Sequence, residues 1–168
     1  LGLSQASLAS TKLANIQIDA IYSSDLLRAY QTAQIIASKI NQEIITRVEL
    51  RERDMGIFSG WQFESEPDPV KESLWVEFES SRDAEDLSWN KHGGESLAQM
   101  STRLKQFMDH VDRVHHNQTI VIVTHGGTVN RILEHFGIKP ASEGFRPIKN
   151  AVPLVLSKKL AKYALEEL

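Results

Sequence analysis

The sequence contains no cysteine, and this absence removes several classes of chemistry at once. Disulfide bonds, thiolate metal sites and a cysteine nucleophile are excluded, and the composition fits a reducing compartment. No apolar run approaches the length of a membrane span, and no segment has the pattern of a signal peptide. The net charge is only −3, so there is no basic excess for nucleic acid. We therefore expect a cytoplasmic protein with no membrane and no nucleic-acid partner.

What is present is ordinary for a soluble domain. The 168 residues are 41% apolar and 24% charged, which is enough for one domain with its own core. The sequence opens on Leu1 rather than methionine, and an apolar spacing of helical period begins almost at once. We expect a single domain over residues 1–168 that is incomplete at its N-terminus.

Strands and helices alternate along the sequence. Helices are predicted over residues 4–14, 26–40, 95–116 and 129–136, and strands over 16–22, 43–48, 119–124 and 151–156, before a Lys-rich helical tail. Residues 49–92 lack periodicity and are interpreted as a long, partly helical excursion, either a lid or simple packing. The unbroken apolar run at 119–124 predicts a strand covered on both faces. This alternation predicts an α/β domain with a mostly parallel sheet between helices.

Two strand-to-helix junctions carry polar residues, at 23–28 and 124–128. Ligands of parallel sheets bind at the carboxyl ends of strands, beside the helices that follow. At the second junction His125 follows the apolar strand, and Gly126 and Gly127 allow a tight turn that leaves N–H groups for an anion. The alternative is that His125 only caps this turn.

At the first junction Arg28 lies one turn into a predicted helix. Its guanidinium could bind a phosphate bidentately, and the helix dipole would act in the same sense. The alternative is a surface ion pair between Arg28 and Asp25, three residues earlier. Only the presence of the second junction makes the phosphate interpretation preferable.

A third group of charged residues follows the second predicted strand. Glu52 is a candidate general acid and base at the exit of this strand. Spacing alone does not separate Glu52 from Glu49. For Arg53 and Asp54 a solvated charge cluster is the preferred interpretation.

Taken in order, these motifs resemble those of the histidine phosphatase superfamily, to which the phosphoglycerate mutases belong. Residues 22–29 (YSSDLLRA) resemble its phosphate-binding arginine motif, 50–56 (LRERDMG) its acid motif, and 124–127 (THGG) its second-histidine motif. Residues 93–96 and 150–151 also fit the pattern. The resemblance implies a phosphoglycerate mutase-like fold, a three-layer α/β/α sandwich with a mostly parallel sheet.

One family motif has no counterpart. Members of this family begin with a strand that ends in Arg-His-Gly, and that histidine takes the phosphoryl group. The tripeptide occurs nowhere in the sequence. Lys91-His92-Gly93 is similar only superficially, because it follows the excursion rather than a strand. We expect that the first, central strand and its nucleophile are absent from this chain.

The resemblance implies a two-step phosphoryl transfer without metal or cofactor. Glu52 would protonate the leaving oxygen and then activate water, while Arg28, His125 and Gly126 bind the phosphate. His125 and Glu52 are thus the expected catalytic residues. The expected function is a phosphatase of small phosphomonoesters that acts through a phosphohistidine intermediate.

Two alternatives stay open. A longer excursion is usual in the phosphoglycerate mutases, which favours the phosphatase only moderately over mutase-type transfer. If the 168 residues are complete, the chain is expected to be inactive and to bind phosphorylated ligands without turning them over. The sequence does not identify the substrate, although acidic residues in the excursion disfavour highly anionic ones. It also leaves the oligomeric state open, a homodimer included.

Overall fold

The computed structural model describes residues 2–62, 65–84, 86–138, 148–159 and 162–166. The helices in these ranges are α1 (Gly2–Leu13), α2 (Leu27–Ile40), α3 (Pro69–Asp83), α4 (Leu97–Val114) and α5 (Gly126–His135). The strands are β1 (Ala20–Ser23), β2 (Ile44–Thr46), β3 (Ile120–Val123), β4 (Val155–Lys159) and β5 (Lys162–Glu166). Short 3₁₀ turns cover Val48–Leu50 and Gly56–Phe58.

The chain divides into two compact units. The first contains Leu1–Glu52 and Leu104–Leu168, and the second contains Arg53–Arg103. The boundary between them falls inside α4. The single-domain expectation stays a prediction.

The first unit contains a three-stranded parallel sheet in the order β2-β1-β3. All four residues of the central strand β1 are buried. Ser23, the last residue of β1, pairs with Thr46 of β2 and Val123 of β3, which are the last residues of their strands. The segments that follow the three strands therefore leave the sheet at the same edge, and the predicted parallel α/β arrangement is confirmed.

Helix α2 packs on this sheet through small and branched side chains. Its buried residues are Ala29, Ala33, Ile36 and Ala37, which share a core with Leu13, Ile18, Ile21 and Val123. Helix α2 begins after Leu26, which is its N-cap residue and makes no side-chain capping hydrogen bond. Ser24 Oγ accepts a hydrogen bond from the Leu26 N–H at 3.3 Å, and the Asp25 carboxylate bonds elsewhere.

Strand β3 is less covered than its sequence predicts. Only Val123 is buried, and Ile120, Val121 and Ile122 are half-buried. Within the described ranges, β3 pairs with β1 on one side and with no strand on the other. The apolar character of β3 therefore exceeds what its surroundings in this structure require.

The C-terminal residues form a separate antiparallel pair, β4 and β5. The helical tail is therefore a wrong prediction, and the last predicted strand is shifted from 151–156 to Val155–Lys159. Side-chain contacts explain why these residues form strands. The Tyr163 hydroxyl of β5 donates to the Asp112 carboxylate of α4, and Lys158 of β4 donates to the same carboxylate at 2.7 Å. The Tyr163 ring also packs on Phe136, with 3.9 Å between centroids.

The second unit packs around a cluster of aromatic rings from the excursion. Phe58, Trp61, Trp75, Phe78, Trp89 and His92 form this cluster. His92 is fully buried and lies between the stacked rings of Phe58 (5.7 Å) and Trp89 (5.1 Å). Burial lowers the pKa of His92, so its neutral form is favoured. The three tryptophans of the excursion thus pack within this unit, and the lid alternative stays a prediction.

Candidate active site

The two junctions predicted from the sequence meet at one edge of the sheet. The Ser24 N–H donates to the Val123 carbonyl at 2.9 Å, and the Arg47 N–H donates to the Ser23 carbonyl at 2.8 Å. These bonds continue the strand pairing by one residue on each side of β1. Residues 24–28, 47–52 and 124–128 therefore start from neighbouring positions.

Arg28 and His125 are in direct contact. The Arg28 Nε–H donates to His125 Nδ1 at 3.2 Å, although 97 positions separate the two residues. Arginine can only donate, so Nδ1 accepts and carries no proton in this contact. In the neutral ring the proton then lies on Nε2, which is 2.9 Å from Ser24 Oγ and donates to it. Ser24 thereby fixes the imidazole from the side opposite Arg28, and Ser24 itself is fully buried.

The predicted alternative for Arg28, an ion pair with Asp25, does not form. Asp25 instead accepts two hydrogen bonds from Arg51, at 2.7 and 2.5 Å. The hydrogen bond from Arg51 is the main cause that lowers the pKa of Asp25. The two terminal Nη groups of Arg28 make no hydrogen bond to other parts of the chain that the structure describes, and the residue is exposed.

Glu52 is held against the start of α5. Its Oε2 accepts a hydrogen bond from the Gly127 N–H at 2.9 Å. The backbone on the way to Glu52 is held as well: the Thr124 hydroxyl donates to the Leu50 carbonyl (2.7 Å) and the Thr128 hydroxyl to the Arg51 carbonyl (3.0 Å). The acid motif and the THGG motif are thus joined by side chain and backbone together.

Glu49, the carboxylate that spacing did not distinguish, has a different environment. It forms an ion pair with Arg47 at 2.8 Å. Burial opposes the ionisation of Glu49, but hydrogen bonds, chiefly from Arg47, outweigh it and lower the pKa of this carboxyl. Of the two carboxylates, Glu52 is the one bound next to His125.

In the second unit, Arg53 and Asp54 do not form the solvated cluster predicted for them. Arg53 donates to the Glu95 carbonyl at 2.6 Å, and its guanidinium lies over the Phe78 ring at 5.1 Å. The Asp54 carboxylate is exposed but accepts a hydrogen bond from the Gly56 N–H at 2.8 Å. Arg53 is thus a packing residue of the second unit, and Asp54 fixes a turn.

Gly126 is the first residue of α5, with His125 as the residue before the helix. The first N–H groups of a helix have no partner inside it, and they favour anions together with the helix dipole. The next N–H, that of Gly127, bonds to Glu52, while the Gly126 N–H has no partner in the described residues. Arg28 and Gly126 therefore present donors at one edge of the sheet, and His125, whose two ring nitrogens are bonded to Arg28 and Ser24, holds the guanidinium there.

Two buried hydroxyls of this site carry roles that sequence patterns did not predict. Ser24 bonds to the His125 ring, and Thr128 bonds to the backbone before Glu52. Both residues are fully buried. Their only signal in the sequence is their place inside or beside the motifs.

Within the described ranges, two further features are absent: a metal site and a membrane-spanning helix. No group of three or more His, Cys, Asp or Glu residues there is arranged to hold a metal ion. None of the described helices combines the length and the apolar character needed to cross a bilayer.

The sequence matches a known family and several curated relatives. The sequence model of the histidine phosphatase superfamily (branch 1) matches residues 1–158. Phosphoglycerate mutase-like protein 4 of Arabidopsis thaliana is 34% identical over 151 residues, which are 89% of this chain and 63% of that protein. Phosphoserine phosphatase 1 of Hydrogenobacter thermophilus is 38% identical over 126 residues, which are 74% of this chain and 56% of that protein. The chain thus spans about three fifths of the length of these curated relatives.

Solved structures show the same fold. A mycobacterial glucosyl-3-phosphoglycerate phosphatase in complex with inorganic phosphate superimposes with a TM-score of 0.80 at 23% identity, covering 98% of this chain and 83% of that one. Bacillus stearothermophilus YhfR gives a TM-score of 0.81 at 20% identity, covering 96% and 78%. The predicted phosphoglycerate mutase-like α/β fold is confirmed. The family model matches nearly the whole chain, and the fold agrees with that match. The chain therefore belongs to the histidine phosphatase superfamily.

Proposed function

We propose that this protein is a phosphatase of small phosphomonoesters that works through a phosphohistidine intermediate. The observation that carries the proposal is the Arg28–His125 contact, in which the guanidinium uses only Nε and keeps both Nη groups for a ligand. A planar guanidinium suits two oxygens of one phosphate. The Gly126 N–H adds a third donor at the positive end of α5.

These donors would stabilise the negative charge of the transition state. Phosphoryl transfer spreads negative charge over the equatorial oxygens, so catalysis depends chiefly on fixed donors around them. Arg28 is held by His125, and His125 is held by Ser24, so these groups are in place before the substrate arrives. Such preorganisation avoids the cost of reordering during the reaction.

Glu52 is the proposed general acid and base. It protonates the ester oxygen as the P–O bond breaks, and it then takes a proton from the water that attacks the phosphoenzyme. The names of two similar proteins, a phosphoserine phosphatase and a glucosyl-3-phosphoglycerate phosphatase, point to alkyl phosphates as substrates. An alkoxide is a poor leaving group, and a proton donor is therefore needed at this position.

The nucleophile in this proposal is a histidine on a strand that lies beside β3, outside the 168 residues. Two features of β3 support this strand: one edge of β3 pairs with no strand in the described ranges, and three of its apolar residues are only half-buried. A further parallel strand would pair with that edge and cover those residues. Such a strand would end next to His125, at the edge where β1, β2 and β3 end.

A second candidate is mutase-type transfer, favoured by the 34% identity to a phosphoglycerate mutase-like protein. The same Arg28, Glu52 and His125 would serve in both reactions. In a mutase the phosphoenzyme returns its phosphoryl group to an acceptor hydroxyl instead of water. Release of inorganic phosphate from a single substrate therefore distinguishes the two.

The proposal is tested by comparing two proteins, the full-length protein and the chain of residues 1–168, on p-nitrophenyl phosphate. We expect the full-length protein to release inorganic phosphate in multiple turnovers. The 168-residue chain should be at least about ten thousandfold slower, since the remaining groups only bind and polarise. Circular dichroism of both proteins controls for folding.

Two results would count against the proposal. A full-length protein that binds phosphate but turns over no phosphomonoester supports a ligand-binding protein. Turnover by residues 1–168 alone would show that the nucleophile lies inside them.

A further inference from the structure

Gly127, the last residue of the THGG motif, is in contact with the proposed acid. An ideal Cβ built on Gly127 would lie 2.5 Å from Oε1, 3.0 Å from Cδ and 3.1 Å from Oε2 of Glu52. Among the described residues, the same addition to Gly126 would meet only Ile148 Cβ, at 3.9 Å. Neither glycine has a positive φ, so the backbone permits alanine at both positions. The space that Gly127 leaves empty is therefore the space that the carboxylate fills.

The Gly127 N–H also distinguishes the two oxygens of this carboxylate. An amide N–H can only donate, and at 2.9 Å it requires Oε2 to be an acceptor. The carbonyl oxygen of a carboxylic acid is a better acceptor than its hydroxyl oxygen, so this bond favours Oε1 as the oxygen that carries the proton when Glu52 is protonated. The Thr128 hydroxyl is 3.4 Å from Oε1 but only 3.0 Å from the Arg51 carbonyl, so its single proton goes to the carbonyl.

The geometry points to Gly127 as the residue that positions the general acid, by its N–H and by its missing side chain, so that Glu52 delivers its proton from Oε1. This inference rests on the proposed function, because it presupposes the acid role of Glu52. In the first step the nucleophilic histidine forms an N–P bond as the ester P–O bond breaks, and the Oε1 proton passes to the ester oxygen, which keeps the electron pair of that bond. In the second step the oxygen of water bonds to phosphorus as the N–P bond breaks and its electron pair returns to the histidine, and Oε1 takes a proton from that water, which restores the acid.

The test uses the full-length protein with Gly127→Ala or Gly126→Ala and two substrates, O-phosphoserine and p-nitrophenyl phosphate. The serine alkoxide needs a proton to leave, and the p-nitrophenolate does not. We expect Gly127→Ala to lower kcat/KM for O-phosphoserine by about tenfold to a hundredfold, and for p-nitrophenyl phosphate by less than about threefold. Gly126→Ala adds the same methyl group where there is room, and any effect on phosphate binding should fall equally on both substrates.

The outcomes separate this inference from the proposed function. If the parent protein turns over neither substrate, the proposed function fails. If the parent is active and Gly127→Ala loses the same factor on both substrates, or loses nothing, the positioning role is overturned. A melting temperature of Gly127→Ala at or above that of the parent excludes a folding defect, since alanine favours the helix over glycine.

A second measurement needs no turnover. In the ¹⁵N-labelled full-length protein, the Gly127 amide resonance should shift with pH as the Glu52 carboxyl titrates. Glu52→Gln should abolish this acid shift, because the side-chain amide does not titrate. A Gly127 resonance that titrates identically in Glu52→Gln would show that the contact does not exist in solution and would overturn the inference.

Discussion

Arg28→Ala in the full-length protein should lower kcat/KM for p-nitrophenyl phosphate by at least about a hundredfold, the effect of removing one transition-state donor. The substitution removes the two Nη donors and also the Nε–H that holds His125 Nδ1. Arg28→Lys keeps the charge but loses the planar pair of donors, so its rate should lie between those of the parent and the alanine variant. Steady-state assays at neutral pH measure the three rates.

Arg113→Ala is the matched control for this substitution. Arg113 is also an exposed helical arginine, near the end of α4, and it is not part of the site. Its removal should change kcat/KM by less than about twofold, as is usual for exposed positions. If Arg28→Ala stays as close to the parent as Arg113→Ala does, Arg28 has no part in phosphate binding.

The second large effect concerns Glu52. Glu52→Gln should lower kcat/KM for O-phosphoserine by about a hundredfold or more, in the range that general acid catalysis contributes. Glutamine retains an oxygen that can accept from the Gly127 N–H, so the fold of the junction is kept while the proton is lost. A smaller loss is expected for p-nitrophenyl phosphate, whose leaving group needs no proton.

Glu49→Gln is the corresponding control. Glu49 is three residues away and is engaged with Arg47. Its substitution should leave the ratio of the two kcat/KM values unchanged. The assignment of the acid is wrong if Glu49→Gln, rather than Glu52→Gln, abolishes activity on the alkyl phosphate.

Much of the scaffold could be predicted because it depends on local patterns. The apolar spacing of α2 and the apolar run of β3 are properties of short segments, and they placed both elements within a few residues. The rule that parallel strands present ligands at their carboxyl ends then selected the junctions of Arg28 and His125. The structure brings these two residues within 3.2 Å of each other.

The contacts that orient the site could not be predicted in the same way. Ser24 and His125 are 101 positions apart, and Glu52 and Gly127 are 75 positions apart. Such pairs form only once the strand register has aligned the ends of β1 and β3. The sequence therefore indicated which residue types were available but not which atoms they bond.

At the C-terminal residues the local sequence pattern predicted a helix, and the structure has strands. Their lysines and leucines suit a helix, but Tyr163 and Lys158 both bond to Asp112 of α4. These tertiary contacts, and pairing with β4, make the segment a strand instead. The propensity for a helix was overridden by packing, as is common for short segments.

The most direct test of the central claim is to trap the phosphoenzyme. The full-length protein, mixed with ³²P-labelled O-phosphoserine and quenched within one turnover, should carry the label on nitrogen. Such a bond is stable in alkali and is lost in acid. The labelled peptide should contain a histidine from outside the 168 residues. An acid-stable phosphoester, or a label on a histidine within residues 1–168, would contradict the account.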